Sequence, residues 1–451
     1  MAPAPDRRAS LSWYERFAKI VATHPHQPAL VTPEGTLTYR ELHAAADQWR
    51  RDHAGDAGRV VVVHVSTRET LAAWIGAWTC GRSVALLQAS TPAPALQALR
   101  ERLALPIPSP PSDDPEDREA LVLSTSGTTG APKLVVLAQR AITTMMDYLV
   151  EWYARPRGTT TLVATPLAMG TAASEVLMGL ASGWVVHLYP EGTPVPVLHE
   201  VLRRERIQFI PGTASFYRVL LGYAPSATFP DLEQLRSVGE VMEPQLLVRL
   251  RQTFPNARRV QTFGATDAWR VCFLPMDDPR LENGGVGVPL PHCQVRIRPM
   301  QNLPGPEGEL LLRGPIVALG HIGPTGAYEG MEPDGWRSTR DVAFLDTDGC
   351  LYLRGRIDAL FKSGGQWVNP QEVERVLSRM PGVAEVRCFP EPHALLGQAP
   401  VAEVVVVPGN TVSSNVLRAA CAEHLSPHQI PREFRMVRAV ARGASGKKQR
   451  R

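Results

Sequence analysis

The stretch "EALVLSTSGTTGAPKLVVLA", residues 119–138, constrains this chain more than any other. The apolar run Ala120–Leu123 reads as a buried strand entering a loop, and "LVVLAQRAITTMMDYLV" leaves it. Between them Ser124, Thr125, Ser126, Thr128 and Thr129 surround Gly127 and Gly130, and Lys133 closes the segment. An ordinary turn needs one or two Gly, Asn or Pro. A polyanion uses all of these groups: glycine lets backbone N–H groups approach oxygens, hydroxyls add donors, and lysine adds a point charge. A Walker loop is excluded, because it places four residues between its glycines and a Ser or Thr after its lysine. Here Pro132 precedes Lys133 and Leu134 follows it. A flexible Ser/Thr linker would not be clamped by apolar segments on both sides.

The 451 residues allow two to three domains, and 44% hydrophobic content supports a real core. No run approaches the ~18 apolar residues of a membrane span. "MAPAPDRRASLSWYERF" lacks the apolar core of a secretory signal, and the six cysteines are scattered without a Cys-x-x-Cys pair. A cytoplasmic protein without disulfides is expected. A net charge of +4 is too weak to point to nucleic acid. The chain holds only five lysines against 43 arginines, and Lys133, Lys362 and Lys447 each lie near glycines.

The pattern along the chain is mixed. "SWYERFAKIVATH" and "TYRELHAAADQWRRD" have helical periodicity, and "RVVVVHVS" followed by "ETLAAWIGAWTCG" begins a βαβ arrangement. Residues 104–118, rich in Pro and Asp, read as a loop. Strand-like "TLVATPL", "VVHLY" and "IQFIPG" alternate with helices to about residue 255, and short strands and turns fill 285–355. From "NPQEVERVLS" onward a helix–strand–strand rhythm returns. The expected fold class is α/β: a large N-terminal domain of mixed sheets with helices over 1–357, and a small mobile α+β domain over 358–451.

Further motifs follow the loop in order: "QTFGATDA" (261–268), "DGWRSTRDVAFLDTDGCLYLRGRIDALFKSGGQWVNPQEVE" (334–374) and "GASGKKQR" (443–450). With them the chain, from "LTYREL" to its last Gly-Lys, resembles the adenylate-forming, AMP-binding superfamily of acyl- and aryl-CoA synthetases, peptide-synthetase adenylation domains and luciferases. The resemblance implies two steps. A carboxylate attacks the α-phosphate of ATP, giving acyl-AMP and pyrophosphate, and a thiol of CoA or of a phosphopantetheine carrier protein then takes the acyl group. ATP, Mg2+ and CoA or the carrier are the implied cofactors and partners, beside the carboxylic acid itself.

The same resemblance distributes the roles. Thr125, Ser126, Gly127, Thr128, Thr129, Gly130 and Lys133 would hold the β- and γ-phosphates. Phe263 matches the ring that stacks on adenine, and a plain core phenylalanine is the alternative. Gly239 and Glu240 would line the purine and acyl pocket; Asp341 and Arg356 would grip the ribose. Lys447, Thr266 and Asp267 are the implied catalytic residues: Lys447 bridging carboxylate and α-phosphate, Thr266 touching that phosphate, Asp267 ligating magnesium. Asp358 matches the hinge on which the small domain swings, and Lys362 with Gly364-Gly365 the segment that then faces the thiol.

The chain departs from the family pattern at Leu134, at Asp267 (commonly Glu), at Arg340 in place of a glycine, and at Ala441 and Gly443. These departures leave a second reading open, a catalytically weakened adenylate-binding regulatory or partner protein. The acyl pocket is expected to be lined by residues 165–175, 211–217 and 263–269. Gly170 stands where amino-acid-activating relatives place an ammonium-pairing aspartate, and a buried unpaired ammonium is costly. An uncharged aryl or medium acyl carboxylate is therefore the expected substrate.

Overall fold

The computed structural model describes residues 11–63, 67–109, 113–125, 133–240, 242, 244–300 and 305–441. Ser126, Gly127, Thr128, Thr129, Gly130, Gly443 and Lys447 lie outside these residues.

Local chemistry sets the first elements. Ser12 starts the helix Trp13–Thr23: its Oγ accepts the Glu15 N–H at 3.3 Å, and the Glu15 carboxylate accepts the Ser12 N–H at 2.7 Å. Thr38 and Glu41 repeat this reciprocal box at the helix Tyr39–Asp52, so each satisfies donors that a bare helix end would orphan. The expected βαβ unit is present: strands Val60–Val63 and Val84–Leu87 run parallel, joined by the helix Arg68–Thr79. Within the segment expected to be a loop, Asp114 caps a single 3-10 turn, Pro115–Asp117.

Three sheets build the large part. The first has eight strands in the order Ala268–Pro275, Arg258–Ala265, Gln234–Val238, Phe209–Gly212, Thr160–Val163, Val185–Leu188, Pro28–Thr32, Gly35–Thr38. Its inner pairings are parallel and its two outermost antiparallel. The second has six, with the strands Glu119–Thr125 and Lys133–Ala138 that frame the Ser/Thr/Gly loop at its centre. The third is five-stranded and antiparallel, and carries Arg337–Leu345 beside Leu351–Arg356. The helix Gly170–Ala181 lies in the main core, buried at every residue from Ala172 to Ala181. Such a helix must be apolar all round. Glu175 breaks that rule.

Beyond residue 357 the chain changes texture. Strands Val383–His393, Gly397–Val406 and Glu433–Met436 form a separate sheet against helices Pro370–Ser378 and Ser414–His424. Their core, including Val373, Leu377, Val386, Val404, Leu417 and Phe434, contains no residue of the large part.

Candidate active site

Strands Arg258–Ala265 and Ala268–Pro275 form a hairpin whose two-residue turn is Thr266-Asp267. The turn is tight because Gly264 sits against the returning strand; a Cβ there would lie 2.0 Å from the Trp269 carbonyl oxygen. Only glycine fits. The Asp267 carbonyl accepts the Ala318 N–H at 2.8 Å, and Ala268 bridges Val317, which ties the turn to the segment leading into the strand Gly320–Ile322. In that strand His321 pairs with Val135, which on its other side pairs with Leu123. The strands that carry the loop therefore lie beside the turn that carries Asp267.

The Asp267 carboxylate is already engaged. Arg337 Nη2 lies 2.9 Å from Oδ1, and His321 Nε2 lies 3.1 Å from the same oxygen. Burial alone would lift the Asp267 pKa, but the His321 hydrogen bond and the Arg337 charge outweigh it and hold the group below its usual range. Among the described residues Oδ2 has no hydrogen bond, and no cluster of three or more His, Cys, Asp or Glu can cage a metal. That donor set suits magnesium, which takes one or two carboxylates and completes its octahedron with phosphate oxygens and water.

Asp341 stands four residues beyond Arg337 on the same strand, past the irregularity at Arg340. Arg356 is its cross-strand partner, with Nη1 3.3 Å from Asp341 Oδ1. Burial, partly offset by Arg356, raises the Asp341 pKa. Arg356 also donates to the Thr339 carbonyl at 2.8 Å, and through Nε and Nη2 to the two Asp358 oxygens at 3.2 and 3.3 Å. The two residues assigned to ribose and the one assigned to the hinge thus share one guanidinium.

The remaining assigned residues fall into place unevenly. Gly239 has a left-handed backbone, φ 80°, just past the strand Gln234–Val238. The Glu240 carboxylate turns away to the helix Ala214–Tyr223, accepting the Ser215 N–H at 2.6 Å and its hydroxyl at 2.9 Å. It does the work of a helix cap, so its backbone rather than its charge is left to face a ligand. Phe263 is 9% exposed and packs in the main core. Lys133 is exposed at the start of its strand, paired with Thr125. Gly364 and Gly365, both at positive φ, make the two-residue turn between strands Phe361–Ser363 and Gln366–Val368. The Lys362 ammonium lies over the Trp367 ring, 5.1 Å from its centroid.

Two departures from the family pattern gain physical reasons. Leu134 is wholly buried and packs with Ala85, Leu87, Val122 and Ile322, so a side chain there fills the sheet's core. Arg340 adopts a left-handed backbone of the kind glycine favours, with φ 64°.

Sequence reading missed one buried charged cluster near Gly170. It expected a pocket with small, uncharged linings, and Gly170 is indeed close to Trp269: a Cβ there would lie 3.0 Å from the indole Nε1. One helical turn deeper the surroundings are charged. Glu175 Oε1 lies 2.5 Å from Arg236 Nη2 and 3.1 Å from Arg270 Nη2, and accepts the Tyr153 hydroxyl at 3.3 Å. Arg270 Nη2 also donates to Ser174 Oγ at 2.6 Å, and Nη1 to the Trp269 carbonyl at 2.9 Å. Burial, with a second guanidinium nearby, pulls the Arg270 pKa down to about 10. The available signal was a lone arginine inside each of two apolar strand patterns, "LRSV" and "AWRVCF".

A hairpin turn bearing Thr-Asp, strands that flank the Ser/Thr/Gly segment, an Asp–Arg pair and a separate small C-terminal unit are the arrangement expected of a nucleotide-dependent acid-activating enzyme. Comparison with known proteins agrees. Residues 99–322 match the AMP-binding enzyme family and residues 372–447 its C-terminal domain. A methyl-dioxo-octahydro-indenyl propanoyl:CoA ligase of Mycobacterium tuberculosis is 32% identical over 368 residues, covering 79% of this chain and 69% of that protein. The oxalate–CoA ligase of Arabidopsis thaliana is 28% identical over 346 residues, covering 74% and 67%. This chain spans about two thirds of each relative's length. In fold it is similar to the o-succinylbenzoate coenzyme A synthetase MenE of Bacillus subtilis, solved with ATP and magnesium: TM-score 0.80, 22% identity, covering 97% of this chain and 98% of that one. The chain belongs to the AMP-binding enzyme family, and its class of chemistry is AMP-forming acid–CoA ligation. Among the described residues no helix is long and apolar enough to cross a membrane, and all six cysteines are free.

Proposed function

We propose that this protein activates a carboxylic acid with ATP and passes the acyl group to the thiol of CoA or of a phosphopantetheine carrier protein, in the cytoplasm. The observation that carries the reading is the Thr266-Asp267 turn, held beside the two strands that frame the Ser/Thr/Gly loop.

In the first step a carboxylate oxygen attacks the α-phosphorus and pyrophosphate leaves. Residues 125–130 and Lys133 hold the β- and γ-phosphates, and Thr266 donates to the α-phosphate. Asp267 would hold magnesium, whose charge would offset that of the phosphates. Phe263 flanks the adenine, the Gly239-Glu240 backbone lines the pocket, and Asp341 with Arg356 takes the ribose hydroxyls. Lys447 stabilises the charge that builds between carboxylate and phosphate. In the second step the thiolate attacks the acyl carbon and AMP leaves. The part beyond residue 357 then turns about Asp358, taking Lys447 away and bringing Gly364-Gly365 to the site.

The test is carboxylate-dependent exchange of labelled pyrophosphate into ATP. Exchange should require an acid and fall by roughly 10²–10³ in Lys447→Ala, the cost of one lost transition-state donor. Exchange within a few-fold of wild type in that variant would remove Lys447 from the reaction.

A further inference from the structure

The cluster of Glu175, Arg236 and Arg270 has no task in this scheme, and its charges do not balance. Two guanidinium groups face one carboxylate, and the three side chains are at most 1% exposed. Arg236 Nε and Nη1 and Arg270 Nε find no acceptor among the described residues, and Glu175 Oε2 finds no donor there. A buried donor left unmade costs the full loss of its hydration, and a surplus buried charge costs more. A merely structural ion pair would need only one of these arginines.

Its position says what is missing. Gly170 and Ser174 lie on one face of the helix Gly170–Ala181, a single turn or about 6 Å apart. Gly170 faces Trp269 at the level of the site, and Ser174 meets Arg270 below it. Arg236 stands three residues before Gly239 on the strand Gln234–Val238. The Trp269 indole N–H, 4% exposed as a residue, is also without an acceptor among the described residues. Unpaired donors thus run from Trp269 to the two arginines, beside Gly170, Ser174 and Glu175 of the segment expected to line the acyl pocket. An acceptor-rich, negatively charged group would supply the missing acceptors and bring the cluster to neutrality.

The geometry points to an acid substrate that carries a second oxyanion, a carboxylate or a sulfonate, at the end remote from the carboxylate being activated, with Arg236 and Arg270 as its receptors. This inference rests on the ligase reading above and replaces the uncharged substrate expected from sequence. Arg236 and Arg270 are the specificity-determining residues, and Glu175 positions both.

Pyrophosphate exchange with matched pairs tests it: malonate, succinate, glutarate and terephthalate, each against its monomethyl ester, which keeps the length and removes the remote charge. 3-Sulfopropionate separates a sulfonate from a carboxylate receptor. At least one free diacid or the sulfo acid should exceed its neutral counterpart by tenfold or more in kcat/KM. Arg236→Met should reduce that ratio at least tenfold. The same variant leaves Glu175 balanced by Arg270, so its melting temperature in the absence of acid should equal or exceed that of wild type. A merely structural arginine would lower the melting temperature and leave the ratio unchanged. Exchange with esters and monocarboxylates but not diacids would overturn the anion subsite and leave the ligase reading standing. Exchange with no acid at all would overturn both.

Discussion

Arg337 Nη2 lies 2.9 Å from Asp267 Oδ1, across 70 residues of sequence. A carboxylate shared with a guanidinium attracts a further cation less strongly. Arg337→Met should therefore lower the magnesium concentration needed for half-maximal exchange, by about five- to thirtyfold if the bond is worth about 1–2 kcal/mol. Asp267→Asn should raise it, since it removes the anionic ligand. Magnesium titrations that coincide with wild type in both variants would place the metal on another residue.

Arg356 binds the Asp358 carboxylate through two nitrogens, and Asp358 lies in the 3-10 turn Ile357–Ala359. Proline fixes φ, so Asp358→Pro should hold one orientation of the C-terminal part. Near-normal pyrophosphate exchange with strongly reduced thioester formation is the expected outcome, both read on one preparation. A parallel loss of both activities with an intact circular dichroism spectrum would refute the pivot.

His187, on the strand Val185–Leu188, is 2% exposed, and its Nδ1 has no partner among the described residues. Burial pulls its pKa from 6.5 to about 4. Below pH 6.5 the unfolded chain takes up a proton that the folded chain refuses. The stability present above that pH is thus lost as pH falls toward 4, by about 2 kcal/mol between pH 7 and pH 5. His187→Leu should lose correspondingly less over that interval in urea titrations. An equal loss in the two proteins would show that other groups govern the acid side.

The left-handed backbone at Arg340 costs a residue with a side chain about 1 kcal/mol. Arg340→Gly should stabilise the large part by no more than about 0.5 kcal/mol, after the extra freedom glycine gives the unfolded chain is subtracted. A fall of the unfolding midpoint would mean that the guanidinium supplies more than the strain removes.

Elements with strong local chemistry are legible in the sequence. The capping pairs Ser12–Glu15 and Thr38–Glu41, the apolar walls of residues 119–138 and the tight Gly264 turn are written in neighbouring residues. Contacts between distant segments are not. Nothing near Asp267 in sequence announces Arg337 or His321, because strand pairing in two separate sheets creates that contact. Glu240 is legible as a motif residue, but its turn toward Ser215 depends on where the helix Ala214–Tyr223 begins. The buried Glu175–Arg236–Arg270 cluster escapes the sequence for the same reason: Gly170 says what one position lacks, while Arg236 and Arg270 arrive from two strands of another part of the chain.

The C-terminal unit's self-contained core means that heating this protein need not melt it in a single event. Of the nine tryptophans only Trp367 lies beyond residue 357. Intrinsic fluorescence will therefore follow the large part almost alone, and the loss of the small unit will be seen first as a separate heat-capacity peak in a calorimeter.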